Sequence, residues 1–373
     1  MFPKRRTYLD YAAGVSANPS SPHTEGRRAK RILEDARTAI ARLVEVQPDD
    51  VIFTSGATEA NALAILGHAR ALRTADKKDI HILYLPSAHA SIVENAKLLA
   101  LEGVVVEPLP IKDYRVNTEA LLKLLRENTA FITMDAVCGE TGVVWNTREV
   151  AEVLKKSIAS AAVLHVDASQ APITEKITRA HFGADMLTFD AAKVGPLRGA
   201  GVLIAHRTIP LIPLYEGGGQ ERGLRSGSET PFQSREFARA LHAAVNGREA
   251  FRASAMQDRK KLVERIISAI PNVYINEGRV QVPHILNLSF PGRDTDYLIA
   301  LLDEAGFALS TRSACETDSE TGSRAVYALS GDELRARATV RISWGPAVSA
   351  REFSRFVQAL VRAVTFIDNG VHG

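Results

Sequence analysis

The sequence predicts an α/β protein with a large, mainly parallel sheet and a smaller α+β domain at its C-terminal end. Three observations predict this. Short apolar runs alternate with amphipathic stretches through the first two-thirds of the chain, and that rhythm changes after Pro271. In addition, 373 residues exceed what one hydrophobic core ordinarily holds, so a large and a smaller domain are expected.

Each element follows from its pattern. Runs at 51–53, 80–85, 104–108, 131–133, 163–166, 186–188 and 201–204 are apolar without alternation, as in strands buried on both faces. Helical spacing fills intervals at 26–43, 58–72, 90–101, 118–125 and 147–156. A long polar–apolar pattern over 231–270 reads as one or two helices crossing from the large domain to the small one. Beyond it, strands are expected at 284–290, 307–310 and 339–343, with helices at 295–305 and 350–366. The large domain is drawn at 14–248, and the small one joins 1–13 to 249–373.

Composition narrows the function. A hydrophobic content of 46% with 24% charged residues is ordinary for a globular protein, and a net charge of +3 argues against a nucleic-acid surface. Two cysteines, Cys138 and Cys315, make no disulfide framework and read as reduced thiols in a cytoplasmic protein. No apolar run follows the basic N-terminal residues, so no signal peptide is expected, and no run is long enough to span a bilayer. Neither nucleic acid nor membrane is therefore an expected partner, and no metal is called for.

Three segments carry chemistry. Phe53-Thr54-Ser55-Gly56-Ala57-Thr58 is a strand-to-helix turn of small residues, where backbone N–H groups and the helix dipole favour an anion. His165-Val166-Asp167-Ala168-Ser169-Gln170 sets a carboxylate past the end of a buried strand, the edge where open α/β sheets bind ligands. Asp190-Ala191-Ala192-Lys193 sets an amine at a similar edge, where it can condense with a carbonyl. Taken singly, each has a plainer reading: a capped turn, a helix-capping Asp, an exposed Lys. Cys315 lies in a polar stretch, 313–323, without apolar period, which reads as an exposed loop. Arg341 follows on a candidate strand, where a guanidinium can take a carboxylate through two parallel hydrogen bonds or form a surface ion pair.

In that order, these segments resemble fold-type I pyridoxal-phosphate (PLP) enzymes. Nearly the whole chain is similar to cysteine desulfurases of the iron–sulfur cluster assembly type, in the class V aminotransferase group. The resemblance rests on Tyr8-Leu9-Asp10-Tyr11-Ala12-Ala13, Ser55-Gly56-Ala57-Thr58-Glu59, Ser87-Ala88-His89, Val166-Asp167-Ala168-Ser169-Gln170, Gly217-Gly218-Gly219-Gln220-Glu221-Arg222-Gly223, Arg225-Ser226-Gly227-Ser228, Arg312-Ser313-Ala314-Cys315 and Val340-Arg341-Ile342-Ser343. It implies that Lys193 holds PLP, Asp167 pairs with the ring nitrogen and Gln170 donates to the ring hydroxyl. It implies that His89 stacks on the ring and moves protons, and that Gly56, Ala57 and Thr58 bind the phosphate. Ser228 would reach the phosphate of a second subunit, making a homodimer. Arg341 would bind the carboxylate of L-cysteine, and Cys315 would take its sulfur as a persulfide. The sulfur would then pass to an acceptor such as a cluster scaffold protein or a tRNA-thiolating enzyme.

The chain departs from that pattern close to the cofactor. Asp190-Ala191-Ala192 stands where the family has Ser-Gly-His, Gly139 where it has Asn, and Gln220 where His is common; the segment between Ala13 and Asn18 is shorter. Asp190 would repel a phosphate unless it points away or bonds elsewhere. Cys138 is expected to be a small packing residue, with reach into the site as the other reading. Two other readings fit the same residues: another PLP-dependent lyase or transaminase, and a catalytically weakened sulfur-trafficking scaffold.

Overall fold

Strands form where the chain is apolar on both faces. The computed structural model describes residues 7–75, 79–311 and 322–370. In chain order its strands are β1 (Val51–Thr54), β2 (His81–Tyr84), β3 (Val105–Pro108), the hairpin pair β4 (Ile111–Lys112) and β5 (Arg115–Val116), β6 (Thr129–Asp135), β7 (Val163–Asp167), β8 (Met186–Asp190), β9 (Gly201–Ala205), β10 (Tyr274–Ile275), β11 (Ile285–Ser289) and β12 (Thr339–Ser343). The α-helices are α1 (Thr24–Val44), α2 (Ala57–Ala62), α3 (His68–Thr74), α4 (Ala90–Leu101), α5 (Thr118–Leu124), α6 (Thr147–Lys155), α7 (Arg179–Phe182), α8 (Pro231–Ala269), α9 (Thr295–Glu304), α10 (Arg324–Ser330), α11 (Glu333–Arg337) and α12 (Ala350–Gly370).

Seven strands make one sheet in the order β1-β9-β8-β7-β6-β2-β3. From β8 to β3 the neighbours are parallel, and β9 runs antiparallel to both β8 and β1. All seven expected strands are present. Parallel strands with helical crossovers bring their C-terminal ends to one edge, so Asp135, Asp167 and Asp190 emerge together at the ends of β6, β7 and β8.

The apolar interior divides in two. The larger cluster surrounds the seven-stranded sheet; the smaller lies under β11 and β12, between α9, α12 and the second half of α8. Helix α8 is a single element of 39 residues, about 58 Å at 1.5 Å per residue. It places Phe237 and Leu241 in the first cluster and Phe251, Ala255, Leu262 and Ile266 in the second. Among the described residues no helix is long and apolar enough to cross a membrane.

Two expectations need correction. Residues 307–310 form no strand; only Ser310 is bridged, to Arg341, while Phe307 and Leu309 pack against the smaller core. The helix expected over 58–72 contains a π turn, Leu63–Gly67, between α2 and α3. There Ile212 N donates to Gly67 O at 3.2 Å, and a Cβ at Gly67 would lie 2.7 Å from Ile212 O. The turn widens where another backbone presses against it.

Strand β1 ends the sheet, and its outer backbone groups are met by side chains. Arg37 Nη1 donates to Val51 O at 2.6 Å, and Phe53 N donates to Glu221 Oε2 at 2.8 Å. Arg37 and Glu221 are themselves joined by two parallel hydrogen bonds of 2.8 Å. Burial alone would lower the Arg37 pKa; the bonds and charge of Glu221 override it and hold that pKa above its ordinary value. The clasp also pins the glycine-rich 217–223 stretch, where Glu221 takes a left-handed φ of 48°. Arg37→Ala should leave a buried carboxylate uncompensated and lower stability by about 3–5 kcal/mol, measured by urea unfolding.

Two buried histidines set an acid limit. His165 on β7 bridges Thr133 and Thr188 at 2.8 and 3.0 Å, and His284 packs against Phe251. Burial pushes both pKa values down to about 4. Between the ordinary His value and that figure, the unfolded chain binds protons that the folded chain refuses. Stability should therefore fall as pH drops from about 6.5 toward about 4. Unfolding midpoints measured from neutral pH to pH 5 check this; a flat profile would contradict it.

Candidate active site

A cavity of about 290 Å³ lies at the strand ends, lined by residues of both the sheet edge and the C-terminal part of the chain. Of the expected site residues it gathers Ala57, Thr58, His89, Asp167, Gln170, Lys193 and Arg341. Lys193 ends the short turn Ala191–Lys193 after β8. It is exposed and makes no hydrogen bond or ion pair with a described residue, as a free amine facing a ligand would be.

Asp167 is buried at the end of β7. Its Oδ1 accepts from Ser169 N at 2.9 Å and its Oδ2 from Asn61 Nδ2 at 2.7 Å. The same Asn61 amide donates to Ser91 Oγ at 2.8 Å, and Ser91 Oγ lies 2.8 Å from His89 Nδ1. Ser91 N also donates to Nδ1, so His89 caps α4. With Nδ1 accepting, the neutral ring carries its proton on Nε2. Two side chains, Ser91 and Asn61, thus link His89 to Asp167. Asn61 and Ser91 escaped sequence reasoning, although Asn61 is a lone polar residue on the buried face of a helix.

Asp135 also escaped it. It is the register partner of Asp167 on the adjacent strand, is buried, and its Oδ1 has no hydrogen-bond partner. Burial first, and the Asp167 charge second, push its pKa well above its ordinary value. Ser87 Oγ and Ser169 Oγ line the same cavity and are likewise buried without partners. Such orphaned oxygens mark the wall of a site that receives a polar ligand.

The strand-to-helix turn is occupied from within. Asp190 does not point away: Oδ2 accepts from Ala57 N at 2.8 Å, and Oδ1 accepts from Ala192 N at 2.8 Å. One carboxylate thereby joins the start of α2 to the turn bearing Lys193. Gly56 is tightly held from the other side, since a Cβ on Gly201 would lie 2.6 Å from its backbone. Glu59 fixes the turn further, accepting from Ser55 N at 2.6 Å, Tyr215 Oη at 2.8 Å and Arg225 Nε at 3.1 Å.

Gly139 leaves room for Gln170, because a Cβ there would lie 2.9 Å from Gln170 Nε2. Its carbonyl accepts from Arg341 Nη1 at 3.0 Å, and Arg341 Nη2 reaches Ser310 Oγ at 3.4 Å. The guanidinium of the small sheet thus docks on the large one at the cavity wall. Ser228 does not line the cavity and is exposed after the glycine-rich loop. Cys315 lies outside the described residues. Cys138 is buried in the larger core; burial, then the charges of Asp135 and Glu140, push its thiol up to about 12.

The comparisons agree with this geometry. The family model described as aminotransferase class-V matches residues 5–356. A cysteine desulfurase of Archaeoglobus fulgidus is 31% identical over 356 residues, covering 94% of this chain and 91% of its own. A solved NifS-like protein superposes with a TM-score of 0.86 at 27% identity, over 95% of this chain and 93% of its own. A solved SspA in complex with cysteine superposes with a TM-score of 0.73 at 27% identity, over 88% and 91%.

Two outcomes follow from the site's own chemistry. Asn61→Ala should leave Asp167 short of a buried donor and cost about 1–3 kcal/mol in urea unfolding, with an intact fold by circular dichroism. In a Cys315→Ala background, Cys138 should resist iodoacetamide at pH 8 until denaturant is added, because the raised pKa keeps it a thiol. Mass spectrometry of the alkylated protein reads that directly.

Proposed function

The chain belongs to the class-V aminotransferase family, among the cysteine desulfurases, and on that premise we propose that it is a PLP-dependent enzyme converting L-cysteine to L-alanine and leaving sulfur on Cys315. The observation that carries this reading is the position of the two stems of segment 312–321. On one side Arg341 N donates to Ser310 O at 2.7 Å and Thr339 Oγ1 to Thr311 O at 2.6 Å. On the other, Ser323 N donates to Ala336 O at 2.8 Å, and Arg324 and Ala325 line the cavity. The following stem reaches the cavity wall at Arg324 and Ala325, the preceding one is bonded to the cavity-lining Arg341, and Cys315 is four residues from Thr311, a reach of about 14 Å.

The residues fit PLP at its ring. Lys193 would hold the aldehyde carbon, Asp167 the ring N–H, Gln170 the ring hydroxyl and His89 a ring face, with the unpartnered Ser87, Asp135 and Ser169 oxygens nearby. At the tail, Thr58 and the start of α2 would receive the phosphate beside Asp190. When bound, PLP supplies an electron sink that makes the substrate Cα–H acidic.

The chain's own residues do the rest. Arg341 takes the substrate carboxylate through its guanidinium and so orients the Cα–H toward Lys193. Lys193 Nζ takes that proton and returns it to carbon. Asp167, held by Asn61 and the Ser169 amide, would hold the ring N–H. The Cys315 thiolate attacks the substrate sulfur: an S–S bond forms, the C–S bond breaks, and its electron pair stays on carbon, which takes up a proton. L-cysteine and a thiol thus become L-alanine and a persulfide, which passes by thiol exchange to a protein acceptor in iron–sulfur or thiolation chemistry. The reading includes a homodimer in which Ser228 serves the other subunit's phosphate.

Incubation with PLP and L-cysteine, assaying alanine together with protein-bound persulfide, tests it. Both should appear, and Cys315→Ala should lower both by roughly a hundredfold or more. Undiminished alanine from that variant would point to a different lyase or transaminase. Asp190 at the phosphate turn favours the scaffold reading, which gains if no yellow chromophore forms with excess PLP.

A further inference from the structure

We infer that Asp190 is an internal occupant of the anion end of the cavity, so that this site binds unphosphorylated pyridoxal nearly as well as its phosphate. The inference rests on the PLP reading above and deepens it. The helical run from Ala57 to Thr74 starts at the cavity, and the first amides of such a run attract anions. In this chain the Ala57 amide already has one. Asp190 Oδ2 lies 2.8 Å from Ala57 N and 3.3 Å from the point where a Cβ on Gly56 would sit, directly over the turn. Its other oxygen is satisfied by Ala192 N at 2.8 Å, so both oxygens are held by helix-start amides.

Two consequences follow. A phosphate tail arriving at Thr58 finds the best amide taken and a like charge beside it. Arg198, exposed on the cavity wall without an ion pair to a described residue, offsets that repulsion only in part. Asp135 Oδ1, Ser169 Oγ and Ser87 Oγ, on residues that line the cavity, are buried and unpartnered. At the tail the Ala57 amide is already taken, with Thr58 and Arg198 left as the remaining polar groups there. Binding energy should come from the ring and the Lys193 bond, with little from the tail.

The test has two arms, each on wild type, Asp190→Ser and Asp190→Asn; the asparagine keeps the shape should the serine variant fail to fold. In the first arm, protein without cofactor is melted in millimolar inorganic phosphate or in chloride of matched ionic strength. The wild-type midpoint should not respond to phosphate, and the midpoint of a variant should rise. In the second arm, PLP and pyridoxal are titrated by visible absorbance. Wild type should bind the two within about tenfold of each other, and a variant should tighten PLP by about tenfold or more while leaving pyridoxal unchanged. A wild-type preference for PLP beyond about a hundredfold, or variants with neither a phosphate response nor tighter PLP, would overturn the inference. If neither aldehyde gives a chromophore while the phosphate arm behaves as expected, the proposed function fails and the occupancy by Asp190 stands.

Discussion

Three carboxyl groups converge on one sheet edge, and the rest of the site is arranged around keeping them there. Asp135, Asp167 and Asp190 end neighbouring parallel strands, so topology alone brings them together. Like charges so close in a partly buried site cannot all stand unaided. Each is handled differently. Asp135 is buried, with its pKa pushed well above its ordinary value; Asp167 is held by Asn61 and the Ser169 amide; Asp190 takes the Ala57 and Ala192 amides. The Ala57 amide at one end of the cavity is thereby engaged from within.

The cavity is also a joint between two cores. Arg341 belongs to β12 yet donates to the Gly139 carbonyl at the rim of the large sheet. Arg324, at the start of α10, pairs with Glu94 of α4 at 2.9 Å.

The fold was largely legible because a strand buried on both faces needs an unbroken apolar run, and seven such runs were present. The 307–310 stretch misled because its apolar residues serve a core without joining a ladder, which composition cannot distinguish. Lys193 and Asp167 were readable as polar groups ending such runs. Asp135 ends Phe131-Ile132-Thr133-Met134 in the same way and was open to the same argument. Asn61 was harder, since its two partners lie on separate elements and its role exists only in three dimensions. The acceptor role of Asp190 was equally hidden: the sequence gives its charge, and only the packed turn gives its donors.

The clasp of Arg37 and Glu221 on β1 has a further consequence, for how copies of the chain can meet. An outer strand with free N–H and C=O groups is a template on which another chain can extend the sheet. On β1 the Val51 carbonyl and the Phe53 amide are already spoken for by an internal ion pair. A newcomer strand would have to dismantle a desolvated salt bridge before making its first ladder bond. The edge of β1 is thereby guarded against sheet extension at these two groups.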